Sequence, residues 1–194
     1  MKLASVNFFL LLLLPMLESC SNLPLPKQVQ IEREKETIIA TNITPKPPCK
    51  TCLLLIRDEK NRTNSLGNPI YRLEAYQEGK KLYSLDAVTG RNNSQNKNRD
   101  RSGTEAPLPD GKYLISSKIV PGIVPEAGEI FIPIYPKFTT GRTDLGIHYD
   151  PSFNKNNGED GTAGCIALTN KSDLDSIEKF VVNYKPKELI VNIK

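Results

Sequence analysis

In several segments of this chain, apolar and polar positions alternate with a period of two. Ile70-Tyr71-Arg72-Leu73-Glu74-Ala75-Tyr76 and Lys81-Leu82-Tyr83-Ser84-Leu85-Asp86-Ala87-Val88 flank Gln77-Glu78-Gly79-Lys80. Apolar residues alternating on either side of a Gly-bearing turn predict a β-hairpin. Leu53 to Arg57 is a short apolar run that predicts a strand ahead of it, with turn-rich Asn61 to Pro69 between. Arg91 to Gly103 is polar, rich in Asn and Arg, and without apolar period, which predicts a mobile loop. Tyr113 to Ile119 and Glu129 to Ile134 read as further strands. Pro133 puts the second at an edge or a strand end, because proline brings no N–H to a ladder. Thr143 to His148 predicts a strand that delivers a histidine at its end.

The period lengthens once. Leu174, Ile177, Phe180 and Val181 fall on one face of a helix, with Ser172 as its expected N-cap and Asp175 three residues on. Leu189, Val191 and Ile193 then alternate in a last strand. The expected fold is mainly β, a sandwich or barrel with one clear helix.

The first 50 or so residues do not follow this pattern. Lys2 and the apolar run Phe8 to Leu14, ending near Pro15, are too short to span a bilayer, which takes about 20 apolar residues, but they suit a signal-peptide core. Leu17-Glu18-Ser19-Cys20 resembles a bacterial lipobox, in which Cys20 becomes the lipidated first residue of the mature chain. Glu18 is unusual at such a site, so ordinary cleavage near Ser19 stays open, and both readings export the protein. Residues 21–51 carry prolines and the mixed charge run Glu32-Arg33-Glu34-Lys35-Glu36. They read as a tether, in which a short helix at Glu32 to Ile39 would have little to pack against. Residues 52–194 are the size of one domain.

Charge and composition then remove function classes. The formal net charge of +4 favours approach to an anionic cell wall. No basic stripe interleaved with aromatics is present and Trp is absent, so a nucleic-acid surface is not expected. Cys49 and Cys52 form a Cys-Lys-Thr-Cys pair with no second pair and no spare histidine to complete a metal site. In an exported protein they are either a small disulfide or two idle thiols. No metal and no cofactor is expected.

His148 is the only histidine of the chain, so histidine-dependent chemistry must pass through it. It lies in Gly146-Ile147-His148-Tyr149-Asp150, a short gap ahead of Gly161-Thr162-Ala163-Gly164-Cys165-Ile166. A thiol attacks only as its thiolate, and a nearby imidazole is the usual means of forming one near neutral pH. His148 and Cys165 are therefore candidate general base and nucleophile of a cysteine acyl-transfer site.

This pattern resembles the catalytic motif of the YkuD-type L,D-transpeptidases, cysteine enzymes of peptidoglycan remodelling. Their His precedes a Ser/Thr-His-Gly-Cys turn, often with Arg or Asn two residues after the Cys. Thr162, Gly164 and Cys165 match, and His148 stands at a matching distance. Ala163 replaces the usual His and Ala167 the usual Arg or Asn, which bears on how substrate is positioned. The hairpin and Ala106-Pro107-Leu108-Pro109-Asp110-Gly111-Lys112-Tyr113 also resemble family segments, so the likeness covers roughly residues 52–194.

The resemblance implies that Cys165 attacks the carbonyl between a diamino acid and terminal D-Ala of a tetrapeptide stem. His148 would move the proton, and backbone N–H groups of the Thr162, Ala163, Gly164 and Cys165 turn would meet the oxyanion. Transfer to an amine gives a 3→3 cross-link; transfer to water makes an L,D-carboxypeptidase. Asp150, Asp144 or a backbone carbonyl are candidates to orient His148. Arg142 is a candidate grip for a stem carboxylate. The implied partners are peptidoglycan stem peptides and, through lipid, a membrane, with the protein in the periplasm or at the cell surface. The alternative from another class is a non-catalytic lipoprotein that keeps the fold and binds peptidoglycan.

Overall fold

The computed structural model describes residues 46–194. The expected signal segment with Cys20, and the expected tether and short helix up to residue 45, lie outside the described residues. Lys46 to Thr51, also assigned to the tether by sequence, belong to the same compact unit as the rest. The Lys50 carbonyl accepts the Gly79 N–H at 2.9 Å, and Cys49 is joined to Cys52 by a disulfide.

Among the described residues, nine strands and one α-helix follow in order. They are β1 (Cys52–Arg57), β2 (Tyr71–Gln77), β3 (Lys80–Val88), β4 (Gly111–Ile115), β5 (Val120–Pro121), β6 (Ile130–Pro136), β7 (Gly146–Tyr149), β8 (Ile166–Leu168), α1 (Lys171–Tyr184) and β9 (Glu188–Asn192). The strands run side by side as β4-β9-β1-β2-β3-β8-β7-β6, and β6 pairs back onto β4. That pairing closes a barrel, which leaves no open edge. β5 adds a two-residue flap to the upper part of β6.

The hairpin β2–β3 forms where the alternation predicts it. Glu78 and Gly79 at its turn both have positive φ, 50° and 77°, as a two-residue turn matched to strand twist requires. The expected strand from Tyr113 is shorter than the sequence suggests: β4 ends at Ile115, and the chain turns before β5. Pro133 is not at an edge. It stands opposite Gly146 of β7, inside a strand with neighbours on both sides. The neighbouring Ile134 N–H points to β7, donating to the Leu145 carbonyl at 2.9 Å, so the Pro133 nitrogen faces the other way. On that side the partner of β6 changes from β5 to β4, so the missing donor falls where the ladder is interrupted.

The N-cap of helix α1 lies two residues before the expected one. Asn170, not Ser172, is the N-cap, its side chain accepting the Asp173 N–H. Asn is among the best residues for that role because its short side chain reaches back to the first turn. Lys185 ends the helix in the left-handed conformation, φ 48°, and Pro186 cannot continue it. The apolar face is the expected one: Leu174, Ile177, Phe180 and Val181 are buried and join Leu53, Leu55, Leu73, Tyr113, Ile147, Ile166, Leu168 and Leu189 in one core.

Arg91–Gly103 is irregular apart from one turn at Asn92–Ser94. It is fastened by side-chain bonds to backbone rather than by an apolar stripe. Ser94 is fully buried and its hydroxyl meets the Glu105 carbonyl at 2.5 Å. The Gln95 amide donates to the carbonyls of Thr89 and Arg91, each at 3.1 Å.

Phe180, 1% exposed, is the largest apolar group that the helix contributes. Phe180→Ala is expected to lower unfolding free energy by about 3–5 kcal/mol through lost transfer energy and the cavity left behind, read as a fall in the urea midpoint at unchanged slope. A loss below ~1 kcal/mol would mean that the helix does not seal the core.

Candidate active site

β7 and β8 run parallel, with Ile147 beside Ile166 and His148 beside Ala167. Ile147 and Ile166 point into the core and are fully buried. Side chains alternate along a strand, so the residues on either side of them face away from the core together. Cys165, just ahead of β8, thereby comes level with Gly146, and Cys165 and His148 share the same face. Their Cα atoms are set about 8 Å apart by one strand spacing and two residues of rise, within joint reach of a thiol and an imidazole. The Gly146 N–H hydrogen-bonds Cys165. A Cβ at Gly146 would run into the Phe131 ring, which also stacks on the His148 ring with centroids 6.1 Å apart.

The imidazole is held by backbone. His148 Nδ1 lies 2.8 Å from the Tyr149 carbonyl, which can only accept, so Nδ1 carries the proton and Nε2 is left as the base. Of the three candidate orienters, the backbone carbonyl has the role. Asp150 does not: its carboxylate accepts the N–H groups of Ser152 and Gly161, at 2.8 and 3.0 Å, and so ties down the start and end of the loop between β7 and the Cys turn. Asp144 serves the sulfur instead, its carbonyl 3.7 Å from Cys165 Sγ.

The turn before Cys165 is ordered by one hydroxyl. Thr162 is fully buried; its Oγ1 accepts the N–H groups of Gly90 and Gly164 and donates to the Cys165 carbonyl, at 3.1, 3.0 and 2.8 Å. The Thr162 N–H returns to the Gly90 carbonyl at 3.1 Å, locking the turn to the segment that follows β3. The N–H groups of Thr162 and Gly164 are therefore engaged within the protein and are not the free oxyanion donors that the sequence suggests. The Ala163 N–H points outward, where the Glu126 carboxylate takes it at 2.6 Å. Cys165's own N–H takes part in none of these turn bonds.

Arg142 is buried rather than waiting for an anion at the surface. Its guanidinium donates to the carbonyls of Ala163, Arg99 and Ala106, at 2.6, 3.2 and 3.4 Å, so it braces the Cys turn and is not available as the expected grip for a stem carboxylate. Gly164, with φ 115°, lies so close that a Cβ there would overlap this guanidinium. Ala167 packs with Ile70, Val88 and Phe153, an apolar pocket in which a basic side chain would be unsolvated.

Electrostatics sets the resting protonation. Burial pushes the Cys165 thiol up to about 12; the Gly146 N–H and the Arg142 charge oppose this, and the Glu126 carboxylate adds to it. Burial lowers His148 below its usual value, against the pull of the Tyr149 carbonyl and Glu126. The resting pair is a thiol beside a neutral imidazole. Cys165 is the one unpaired cysteine among the described residues, and no group of three or more His, Cys, Asp or Glu among them is placed to hold a metal. A cleft of about 360 Å³ lined by Arg57, Tyr71, Gln95, Arg99 and Lys194 includes none of these site residues.

Sequence reading missed Glu126 and Arg91, because nothing local marks a residue that reaches the site from a remote loop. Gly146 was legible in principle: a glycine two before the only histidine shares its face and clears space beside it.

A family model described as YkuD, L,D-transpeptidase catalytic domain, matches residues 68–186, more than half of the chain. No curated protein matches the chain significantly.

Asp150 yields a test of the loop anchor. It is 1% exposed and burial raises it from 3.8 to about 6, against the Gly161 and Ser152 N–H groups. A carboxylate raised in the folded state binds its proton more tightly there than in the unfolded chain. Relative to Asp150→Asn, the wild type is thus expected to gain stability as pH falls from about 7 to 4, by up to about 3 kcal/mol. Urea unfolding of both proteins across that range reads the difference; a flat difference would contradict the buried carboxylate.

Proposed function

The chain belongs to the L,D-transpeptidase family, and from that premise we propose that it is a peptidoglycan-remodelling cysteine acyltransferase working through Cys165 and His148. The observation that carries this is their shared face on β7 and β8, with Nδ1 held by the Tyr149 carbonyl and Nε2 left as base. Cys165 Sγ attacks the carbonyl carbon between the diamino acid and terminal D-Ala of a tetrapeptide stem while His148 Nε2 takes the thiol proton. The C–N bond breaks, the leaving amine receives that proton from His148, and D-Ala departs from a thioester.

An amine of a second stem then attacks the thioester. Its proton passes to His148 and on to the departing sulfur, giving a 3→3 cross-link. With water as acceptor the same steps make an L,D-carboxypeptidase. The Cys165 N–H is the donor best suited to the oxyanion, such donors contributing about 3 kcal/mol.

In this reading the protein is exported by residues 1–20 and held to a membrane through lipid on Cys20, which supports work on cell-wall peptides. A second reading, a peptidoglycan-binding lipoprotein without catalysis, draws on the thiol held at about 12 and on Ala163 and Ala167 at positions where the family usually carries His and Arg or Asn.

Intact mass after incubation with a carbapenem is expected to show one covalent adduct on wild type and none on Cys165→Ala. The acylation rate is expected to fall only below the usual pH of histidine titration, as His148 takes up a proton, and to stay flat to about pH 9, because the thiol remains protonated there. A rate climbing tenfold per pH unit through 9 would show attack by free thiolate without His148. No adduct, with slow alkylation of Cys165 by iodoacetamide, would favour the binding module.

A further inference from the structure

Glu126 does not belong to the barrel. It sits in the single turn Pro125–Ala127, at the tip of the connection between β5 and β6. Glycine marks both necks of that connection. The Gly122 N–H donates to the Glu129 carbonyl at 3.1 Å, and Gly128 has φ 63°. Ala127 is buried, but the rest of the tip gains little from packing: Ile123 is 93% exposed and Val124 50%. What it does make is a charged hydrogen bond. Glu126 Oε1 accepts the Ala163 N–H at 2.6 Å, in the short range of charge-assisted bonds. Its other oxygen lies 4.0 Å from the Arg91 guanidinium, which also holds Glu105 and Glu159.

A carboxylate from a separate loop has thus settled on an outward N–H two residues from the candidate nucleophile, with an arginine behind it. The chemistry of that spot suits a carboxylate whatever molecule supplies it. In a stem peptide cleaved at its last bond, the terminal carboxylate lies on the residue next to the scissile carbonyl, and adjacent Cα atoms are about 3.8 Å apart. With the scissile carbon at Cys165 Sγ, the terminal carboxylate falls within one residue of the sulfur, the same separation scale as the Ala163 N–H.

We propose that the Ala163 N–H and the Arg91 guanidinium form a carboxylate subsite beside Cys165, filled in the resting protein by Glu126, and that the terminal carboxylate of the acyl-donor peptide displaces Glu126 from it. The inference rests on the acyl-transfer reading above. It makes the site selective for peptides cleaved at their last residue, since an internal peptide bond offers no carboxylate there. In this subsite the ligand is met by the backbone and by Arg91, not by the side chain at 163.

The test uses the full chain, ¹⁵N-labelled, with the Ala163 amide resonance as readout and N-acetyl-D-alanine as probe. Glu126→Ala is expected to give a saturable shift of that resonance, with a dissociation constant at least about tenfold below that of wild type. Glu126→Gln, which keeps the shape of the loop and removes the charge, is expected to lie between them. N-acetyl-D-alaninamide, which has no carboxylate, is expected to leave the resonance unmoved in all three. The proposal is overturned if neither variant shows a saturable response, or if the amide probe shifts the resonance as well as the acid does. Carbapenem acylation on the same samples separates the two readings: an adduct without a carboxylate response removes the subsite and keeps the Cys165 chemistry. A carboxylate response without an adduct keeps the subsite and removes acyl transfer.

Discussion

The parallel pairing of β7 with β8 is the constraint from which the site follows. With Ile147 beside Ile166 in the core, the alternation of side chains leaves Cys165 and His148 no choice but the opposite face. A slip of one residue on either strand would turn one of them into the main core and take an isoleucine out of it, so hydrophobic packing itself enforces the register of the candidate pair. Parallel strands cannot be joined by a tight turn, and the chain must make a long excursion between them. That excursion is fastened by two carboxylates. Asp150 holds Ser152 and Gly161, and Asp160 accepts from Asn64, Asn68 and the Asn154 N–H. The buried acids of this region are thus structural, and the elevated affinity of Asp150 for a proton is the electrostatic cost of closing the loop.

The same economy applies at Cys165. The Cys turn has no room for groups that serve one purpose. The Thr162 hydroxyl satisfies two N–H donors and one carbonyl, and Gly90 returns the turn to the barrel. Arg142 adds a buried cation whose partners are carbonyls rather than a carboxylate. Its charge is therefore not cancelled by an acid, and it favours the thiolate at Cys165 even as burial opposes it. The resting state is a neutral thiol and a neutral imidazole, each set by burial. Such a pair avoids holding a thiolate in an apolar surrounding, where an ion without a close partner is costly.

The two departures from the family motif have physical counterparts. At Ala167 the space beside His148 is taken by Ile70, Val88 and Phe153, and a guanidinium there would lie in apolar surroundings. At Ala163 the side chain is exposed and the backbone carries the interactions, its N–H to Glu126 and its carbonyl to Arg142. A basic group, Arg142, is supplied from the connection between β6 and β7 instead of from the Cys turn itself, so the chain keeps a cation near the sulfur by a different route.

Local pattern was enough for much of this protein. Period-two alternation marked the β2–β3 hairpin and the last strand, the period of 3.6 marked the apolar face of α1, and a lone histidine ahead of a Gly-Cys turn marked the candidate pair. These features are legible because each depends on neighbours a few residues away. The helix cap lies at Asn170 rather than Ser172: either side chain suits that role, and the Asn170 side chain is the one that accepts the Asp173 N–H. Pro133 defeated an edge rule that sees the missing N–H but not the direction it faces. The roles of Asp150, Arg142 and Glu126 were decided by tertiary structure alone. Each is a polar side chain whose partner is distant in sequence, and a polar group satisfies whichever donor or acceptor the fold brings within 3 Å or so. Sequence by itself determined most of the elements, the short strands β5 and β8 excepted, and which residue carries the thiol. The closed barrel decided which charges reach that thiol, because electrostatic and hydrogen-bond partners are set by distance in space, which no periodicity records.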